Sequence, residues 1–490
     1  MRTLIRGGWV VGYSGDTHTL VPDGVVVYED DRIVHVGRQF EGPVDAEIDA
    51  RGKLISPGFI DTHVHSGSRA YHRLITDTGR HDFYGQPWLE LAFARPGTQV
   101  GGAVDAATAE ARLRFEAAFT VAELLRNGTT TFLEFGSALP VQEAVRAEVE
   151  RLGIRAYLGP NSYAGGWTTR EDGRLVRVLD PEGALPAFER AVSYVTRVDG
   201  SAEGRIRGLL VPPEPDVVSV DVLRATREAA TRLRLPIIIH AAYSVIEFSH
   251  VVLDRGTTPI EFLESVGLLG PDVLIGHGNF IGENPRMNYS GARDLEIMAS
   301  AGVTISHCPV NLARRARSLD SWELYRKAGV KIALGTDTFP RDMILQMREA
   351  SYIGKVMSRS LFAASAAEVF EAATLSAARA LGRDDLGRLA PGAKADILII
   401  DLEGRDTLRY GAVRDPIKSL VDCGTGDDVE TVIVDGIVRM REGRIPGVEL
   451  AALRQQAQEA GERLWSQVQE WDPLERTAEQ IAPWSFPLAH

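Results

Sequence analysis

Pro57-Gly58-Phe59-Ile60-Asp61-Thr62-His63-Val64-His65 is the stretch that decides how this chain is read. An apolar run ends in two histidines one residue apart. Along a strand, residues i and i+2 point to the same face. Both imidazoles therefore leave the same side of a buried strand at its C-terminal end, which is half of a divalent-metal site. Later apolar runs end in matching groups. His240 closes Leu235-Pro236-Ile237-Ile238-Ile239, His277 closes Val273-Leu274-Ile275-Gly276, and Asp337 follows Ile332-Ala333-Leu334-Gly335-Thr336. A lone histidine after such a strand is more often a satisfied core residue. With an HxH already present, His240 is read as a ligand.

Working outward, apolar strands alternate with helical stretches. The strand candidates are residues 58–64, 129–135, 155–159, 206–211, 236–241, 273–277, 304–307 and 331–335, with helices between them such as 220–233 and 292–301. Eight such strands predict an α/β fold, a (β/α)8 TIM barrel with its site at the C-terminal strand ends. The special residues sit at those ends. Residues 25–28 and 32–37 flank Glu29-Asp30-Asp31 as a β-hairpin, and the same texture returns at 395–401 and 429–440. Two β-rich ends around an α/β middle predict a small β-sandwich domain built from both chain ends. The expected division is 1–56 and 386–445 for the two halves of the sandwich, 57–385 for the barrel and 446–490 for a C-terminal helix and tail. Leu450, Leu453, Ala457, Ala460, Leu464, Val468 and Trp471 recur at helical steps and predict an amphipathic docking helix. Residues 66–105 interrupt the rhythm and carry Arg69, Tyr71, His72, Arg73, Asp82, Tyr84, Trp88 and Arg95. So long a loop over the active face reads as a lid or substrate wall.

Composition excludes other classes. The net charge of −13 over 490 residues is spread along the chain, with no basic stripe, which argues against nucleic acid as a partner. Cys308 and Cys423 lie far apart, so neither a disulfide framework nor a cysteine-based zinc knuckle is expected. The first residues lack a signal-peptide apolar core, and no apolar run is long enough to span a bilayer. A cytoplasmic, homo-oligomeric enzyme acting on a small molecule is the expectation.

The ordered set of HxH, His240, His277 and Gly335-Thr336-Asp337 resembles the amidohydrolase superfamily of metal-dependent hydrolases. Ser306-His307-Cys308-Pro309-Val310-Asn311 is similar to the H-x-P-x-S-N motif of its cytosine/guanine deaminase and triazine hydrolase branch. Leu389-Ala390-Pro391-Gly392-Ala393-Lys394-Ala395-Asp396-Ile397 and Val434-Asp435-Gly436 match that branch's returning β domain. Binuclear relatives bridge two metals with a lysine on the fourth strand. The six lysines here are Lys53, Lys327, Lys331, Lys355, Lys394 and Lys418, none near 206–211. Glu134 is the obvious substitute bridge. The resemblance therefore implies one divalent metal held by His63, His65, His240 and Asp337 with a water. Zn²⁺ fits best, and iron, cobalt or manganese would fit too. Asp337 would shuttle the water's proton, and His277 would steady developing charge. His307, Asn311, Trp88 and Tyr163 would face the substrate.

One departure matters. Ring deaminases of this branch carry H-x-x-E after the fifth strand. Here the run is His240-Ala241-Ala242-Tyr243, and Glu247 is seven residues past His240, too far along to substitute. A phenol of pKa about 10 is a poor proton shuttle near neutral pH but a good hydrogen-bond donor to a carbonyl oxygen. The expected activity is therefore hydrolysis of a non-peptide C–N bond of amide, urea or carbamate type. The alternatives are deamination or dechlorination of a purine, pyrimidine, pterin or triazine ring, and a non-catalytic scaffold with the same fold.

Overall fold

The computed structural model describes residues 1–66, 77, 104–163, 165–170, 172, 174–403 and 408–489. The loop expected over residues 66–105, including Trp88, lies almost wholly outside the described residues. In chain order the strands begin with β1 (Arg2–Ser14), β2 (Thr17–Glu29), β3 (Arg32–Gly37), β4 (Ala46–Asp49) and β5 (Lys53–Pro57). The middle of the chain supplies β6 (Phe59–Val64), β7 (Thr129–Glu134), β8 (Arg155–Leu158), the hairpin β9 (Gly165–Thr169) and β10 (Leu175–Leu179), and β11 (Ile206–Gly208). Then follow β12 (Ile237–Ala241), β13 (Val273–His277), β14 (Thr304–His307), β15 (Lys331–Leu334), β16 (Ile397–Asp401), β17 (Val429–Val434) and β18 (Ile437–Met440).

Both chain ends meet in one sheet of order β18-β17-β16-β5-β1-β2-β3, with β4 beside β1. Its strands are joined in a single hydrogen-bonded sheet of eight, so the two β-rich chain ends pair in space as expected. The β-hairpin around Asp30 is present, with Asp30 at φ +51. The chain leaves this sheet at Pro57-Gly58. A Cβ on Gly58 would lie 2.0 Å from the Thr130 hydroxyl, so only glycine passes there.

The parallel strands form two arcs, β11-β8-β7-β6 and β12-β13-β14-β15. Single parallel bridges, Leu210 to Ile237 and Val64 to Asp337, span the two seams between them. The ladder is thus two arcs with bridged seams and not a continuously hydrogen-bonded closed barrel. β11 and β15 are only three and four residues long, and past β11 single bonds, such as that from the Leu209 amide to the Leu158 carbonyl, continue the contact. β6, β7 and β8 are buried along their whole length, as strands covered on both faces must be.

The helix expected over 220–233 is observed as Val220–Leu233. Ser219 accepts from the Val222 amide and starts it, and Arg234 in the left-handed region ends it. Val222, Leu223, Thr226, Ala229 and Ala230 make its buried stripe. The helix expected over 292–301 starts later, at Asp294, whose carboxylate is occupied by the Gly282 amide and the Thr258 hydroxyl. The C-terminal helix Leu450–Trp471 docks as its periodicity predicts. Leu464, Val468 and Trp471 pack with Phe339, two residues past Asp337.

Arg155 ties the parallel strands to the returning strands. It is 2% exposed, and its Nε and Nη2 donate to Asp396 at 2.6 and 3.1 Å while Nη2 also donates to Asp435. Arg155→Met strands the buried Asp396 charge and is expected to cost roughly 3–5 kcal/mol, read as a lower urea-unfolding midpoint. Adding Asp396→Leu should recover part of that loss.

Candidate active site

Asp337 and the HxH are bound to each other through the main chain. The Asp337 amide donates to the His63 carbonyl at 2.7 Å, and the His65 amide donates to the Asp337 carbonyl at 2.8 Å. Asp61, fully buried, accepts from the His63 amide at 3.2 Å, the Thr336 amide at 3.0 Å and the Thr336 hydroxyl at 2.6 Å. Burial pushes its carboxyl up to about 7, against those hydrogen bonds. The Thr62 hydroxyl donates to the Leu334 carbonyl at 2.9 Å. Buried Arg341 donates to the His65 carbonyl at 3.0 Å and is anchored on Glu123 at 2.8 Å. A Cβ on Gly335 would lie 2.5 Å from the His63 Cβ, so glycine is what lets the two strand ends approach.

Donor atoms converge at this seam. His63 Nε2 and His65 Nε2 are 3.1 Å apart, and they lie 3.9 and 3.5 Å from Asp337 Oδ1. His63, His65 and His240 each offer a nitrogen, all within 4.8 Å of one another. His277 Nε2 is 3.7 Å from the other oxygen, Asp337 Oδ2. His277 and Asp337 are both in the left-handed backbone region, at φ +76 and +63. Such strain collects at functional sites. Burial, reinforced by the neighbouring imidazoles, holds His63, His65 and His277 well below the ordinary histidine range. They are neutral, with lone pairs free to bind a cation. Zinc–nitrogen bonds of about 2.0–2.1 Å at tetrahedral angles put donors roughly 3.3–3.4 Å apart. The spacing of His63, His65 and Asp337 brackets that value, so the donor set fits a divalent cation.

His240 is held on two sides. Phe135 stacks on its ring at 3.8 Å between centroids, and Glu214 Oε1 lies 3.1 Å from its Nδ1. Tyr163 turns its hydroxyl to the same Glu214 oxygen. Burial opposes ionisation of Glu214, but His240 and Tyr163 outweigh it and hold the carboxyl below its ordinary range. Glu214 was not singled out from the sequence. The proline-bracketed glutamate in Pro212-Pro213-Glu214-Pro215 was the available signal.

The remaining candidates divide. Asn311, expected to face the substrate, donates its amide to Asp337 Oδ2 and accepts from the Thr338 hydroxyl at 3.1 Å. It orients the carboxylate. His307 is buried with no partner for Nδ1, and burial lowers its pKa to about 3. Glu134 accepts from the Ser66 and Ser137 amides, both at 3.2 Å, and from the Ser137 hydroxyl and Gln142 amide. Its oxygens are taken up in anchoring the start of the long loop. Tyr243 lies 5.7 Å from His240, ring to ring, and burial holds its hydroxyl well above the ordinary phenol range. Glu247 folds back onto the segment just before it, accepting from the Ala242 and Tyr243 amides at 3.0 and 2.8 Å. Asp216 is buried beside these groups with Oδ1 unpartnered, and burial with the Glu214 charge raises it to about 7.

Comparison with known proteins agrees with this geometry. Residues 54–438 match the amidohydrolase family. The 5-methylthioadenosine/S-adenosylhomocysteine deaminase of Thermococcus onnurineus is 30% identical over 451 residues, covering 90% of this chain and 94% of that protein. The 5′-deoxyadenosine deaminase of Methanothermobacter thermautotrophicus is 29% identical, covering 94% of this chain and 98% of that protein. Among solved structures, a zinc-bound adenosine deaminase from Xanthomonas campestris superposes with a TM-score of 0.77 at 21% identity, over 94% of this chain and 98% of that one. A point mutant of the atrazine chlorohydrolase of Arthrobacter aurescens, complexed with zinc and atraton, does so with a TM-score of 0.74 at 22% identity, over 94% and 100%. With its HxH, its later strand-end ligand candidates and a family match over most of its length, this chain belongs to the amidohydrolase family and is a hydrolase of C–N bonds other than peptide bonds.

Proposed function

We propose that this protein deaminates the aminopurine ring of an adenosine-type nucleoside modified at its 5′ position. Similarity to deaminases of such nucleosides across 90% of the chain carries this reading. It displaces the acyclic amide, urea or carbamate as the preferred substrate. The two four-stranded arcs are read as the halves of one (β/α)8 barrel, on the strength of the bridges at both seams. The sheet built from both chain ends is read as the small sandwich domain, with the division 1–56, 57–385, 386–445 and 446–490. A homo-oligomer in the cytoplasm goes with this reading. Among the described residues no helix is long and apolar enough to cross a membrane.

His63, His65, His240 and Asp337 would hold one divalent cation, Zn²⁺ by preference for this nitrogen-rich set, with iron, cobalt or manganese also accommodated. Such an ion supplies a water acidic enough to act as a nucleophile near neutral pH. Asp337 Oδ1 accepts the proton of the attacking water and returns it to the leaving nitrogen, while Asn311 holds Oδ2 so that Oδ1 faces the reactants. His277, neutral and 3.7 Å from Oδ2, orients the nucleophile and steadies charge on it. His307, Tyr163 and Trp88 are assigned to the substrate side. Protonation of the ring nitrogen falls to the position where relatives carry glutamate. Here Tyr243 donates a hydrogen bond to that nitrogen, and Asp216, a carboxyl at about 7 whose charge acts on the Tyr243 hydroxyl, is the acid behind it.

A side-by-side panel tests the substrate class. Zinc-loaded protein should release ammonia from 5′-deoxyadenosine and 5′-methylthioadenosine, seen as the adenine-to-hypoxanthine absorbance change. Turnover of phenylureas, amides or carbamates with none of the nucleosides would restore the acyclic reading. Tyr243→Phe removes one donor and should lower turnover roughly 10²–10³-fold with zinc content unchanged. Asp216 donates only when protonated, so wild-type turnover should fall as pH rises through about 7, and Asp216→Asn should erase that limb of the profile. A limb unchanged in Asp216→Asn would remove Asp216 from the mechanism.

A further inference from the structure

We infer that Glu214 is a positioning residue for metal binding, which fixes His240 as a ligand and joins it through Tyr163 to the mouth of the site; this rests on His240 being a metal ligand, as proposed above. Glu214 Oε1 lies 3.1 Å from His240 Nδ1. An imidazole that donates from Nδ1 leaves the Nε2 lone pair free. A carboxylate partner also makes that nitrogen a stronger ligand and fixes the ring's rotation. Phe135 covers one face of the ring at 3.8 Å and 21°. Glu214 sets the torsion that stacking leaves open.

The backbone around Glu214 is built to hold it still. It sits in Pro212-Pro213-Glu214-Pro215, where three prolines fix φ on both sides. The hairpin of β9 and β10 clamps the next residue. Trp167 Nε1 donates to Asp216 Oδ2 at 2.9 Å, and Arg177 Nη1 donates to the Asp216 carbonyl at 2.8 Å. The carboxylate is therefore presented by a stiff loop held at two further points. Tyr163 and His240 share the one oxygen, Oε1. Tyr163 is 40% exposed as a residue while its hydroxyl is buried against Glu214, so the hydrogen bond that reaches His240 begins at a residue that also meets the surface. Through this arrangement a contact made at the mouth alters the charge that Glu214 presents to His240.

The test is the zinc dissociation constant of the folded protein, measured by competition with a chromophoric chelator. Glu214→Gln keeps an acceptor but removes the charge, and removing such a partner typically weakens metal binding about 10–100-fold. Glu214→Ala should weaken it at least as much. The Co²⁺-loaded wild type should show a ligand-field band that shifts in Glu214→Gln. Tyr163→Phe leaves the whole of Oε1 to His240, so its zinc affinity should stay equal to wild type or rise. A merely structural role would instead lower the unfolding midpoint of the metal-free protein and leave the affinity of the folded fraction unchanged. If Glu214→Ala does not fold, Glu214→Gln carries the comparison. Zinc affinity within threefold of wild type in Glu214→Gln overturns the inference. A wild-type protein that binds no zinc overturns the ligand assignment of His240 instead, which keeps the two failures apart.

Discussion

Two main-chain hydrogen bonds, from Asp337 to the His63 carbonyl and from His65 to the Asp337 carbonyl, govern the rest of this molecule. They join the first parallel strand to the end of the last and so bridge one seam between the arcs. They also set the HxH against the carboxylate it must face. Fold closure and site assembly are the same interaction. Asp337 adopts φ +63 to make it, a conformation that costs of order 1–3 kcal/mol for a residue with a side chain. The surroundings hold it there. Asp61 grips Thr336 on one side, Asn311 grips the Asp337 carboxylate, and Arg341 grips the His65 carbonyl.

What could be read from the sequence follows from which forces are local. The parallel strands are continuous apolar runs because both their faces are covered, and such runs stand out in any chain. Residues 273–277 and 304–307 match their observed strands residue for residue. The histidines and Asp337 were legible because each ends such a run. What escaped depends on tertiary placement. Glu214 lies on a loop with no periodicity, and only the fold brings it to His240. Asn311 was expected to look outward to substrate, but Asp337 lies within reach of its amide and takes it. The β9–β10 hairpin was missed because its two strands pair with each other and join none of the larger sheets. That the two chain ends share one sheet was legible from their common texture, but texture does not say which strands pair.

The functional reading turns on Tyr243. A tyrosine where related deaminases carry glutamate argued for carbonyl chemistry, since a phenol is a weak acid near neutral pH. The structure changes the weight of that argument. Asp216 and Glu247 are buried acids, and both are pushed upward by burial, Asp216 also by the Glu214 charge and Glu247 also by the Asp216 charge. Glu247 is committed to two backbone amides. Asp216 keeps one oxygen without a partner. In the proposed mechanism Asp216 supplies the acid–base capacity that the tyrosine lacks, so similarity to nucleoside deaminases along the chain does not conflict with the residue at that position.

The account rests on where the cation sits. His63 also forms a second cluster, with His277 and Cys308, whose ligand atoms lie within 4.8 Å of one another. Cys308 is fully buried, and burial with the Asp337 and Asp61 charges holds its thiol well above its ordinary range. Anomalous diffraction at the zinc edge from crystals of the zinc-loaded protein distinguishes the two clusters directly. The account predicts one peak within bonding distance of His63, His65, His240 and Asp337, and none at Cys308. A peak bonded to His277 and Cys308, or two peaks bridged by Glu134, would contradict it.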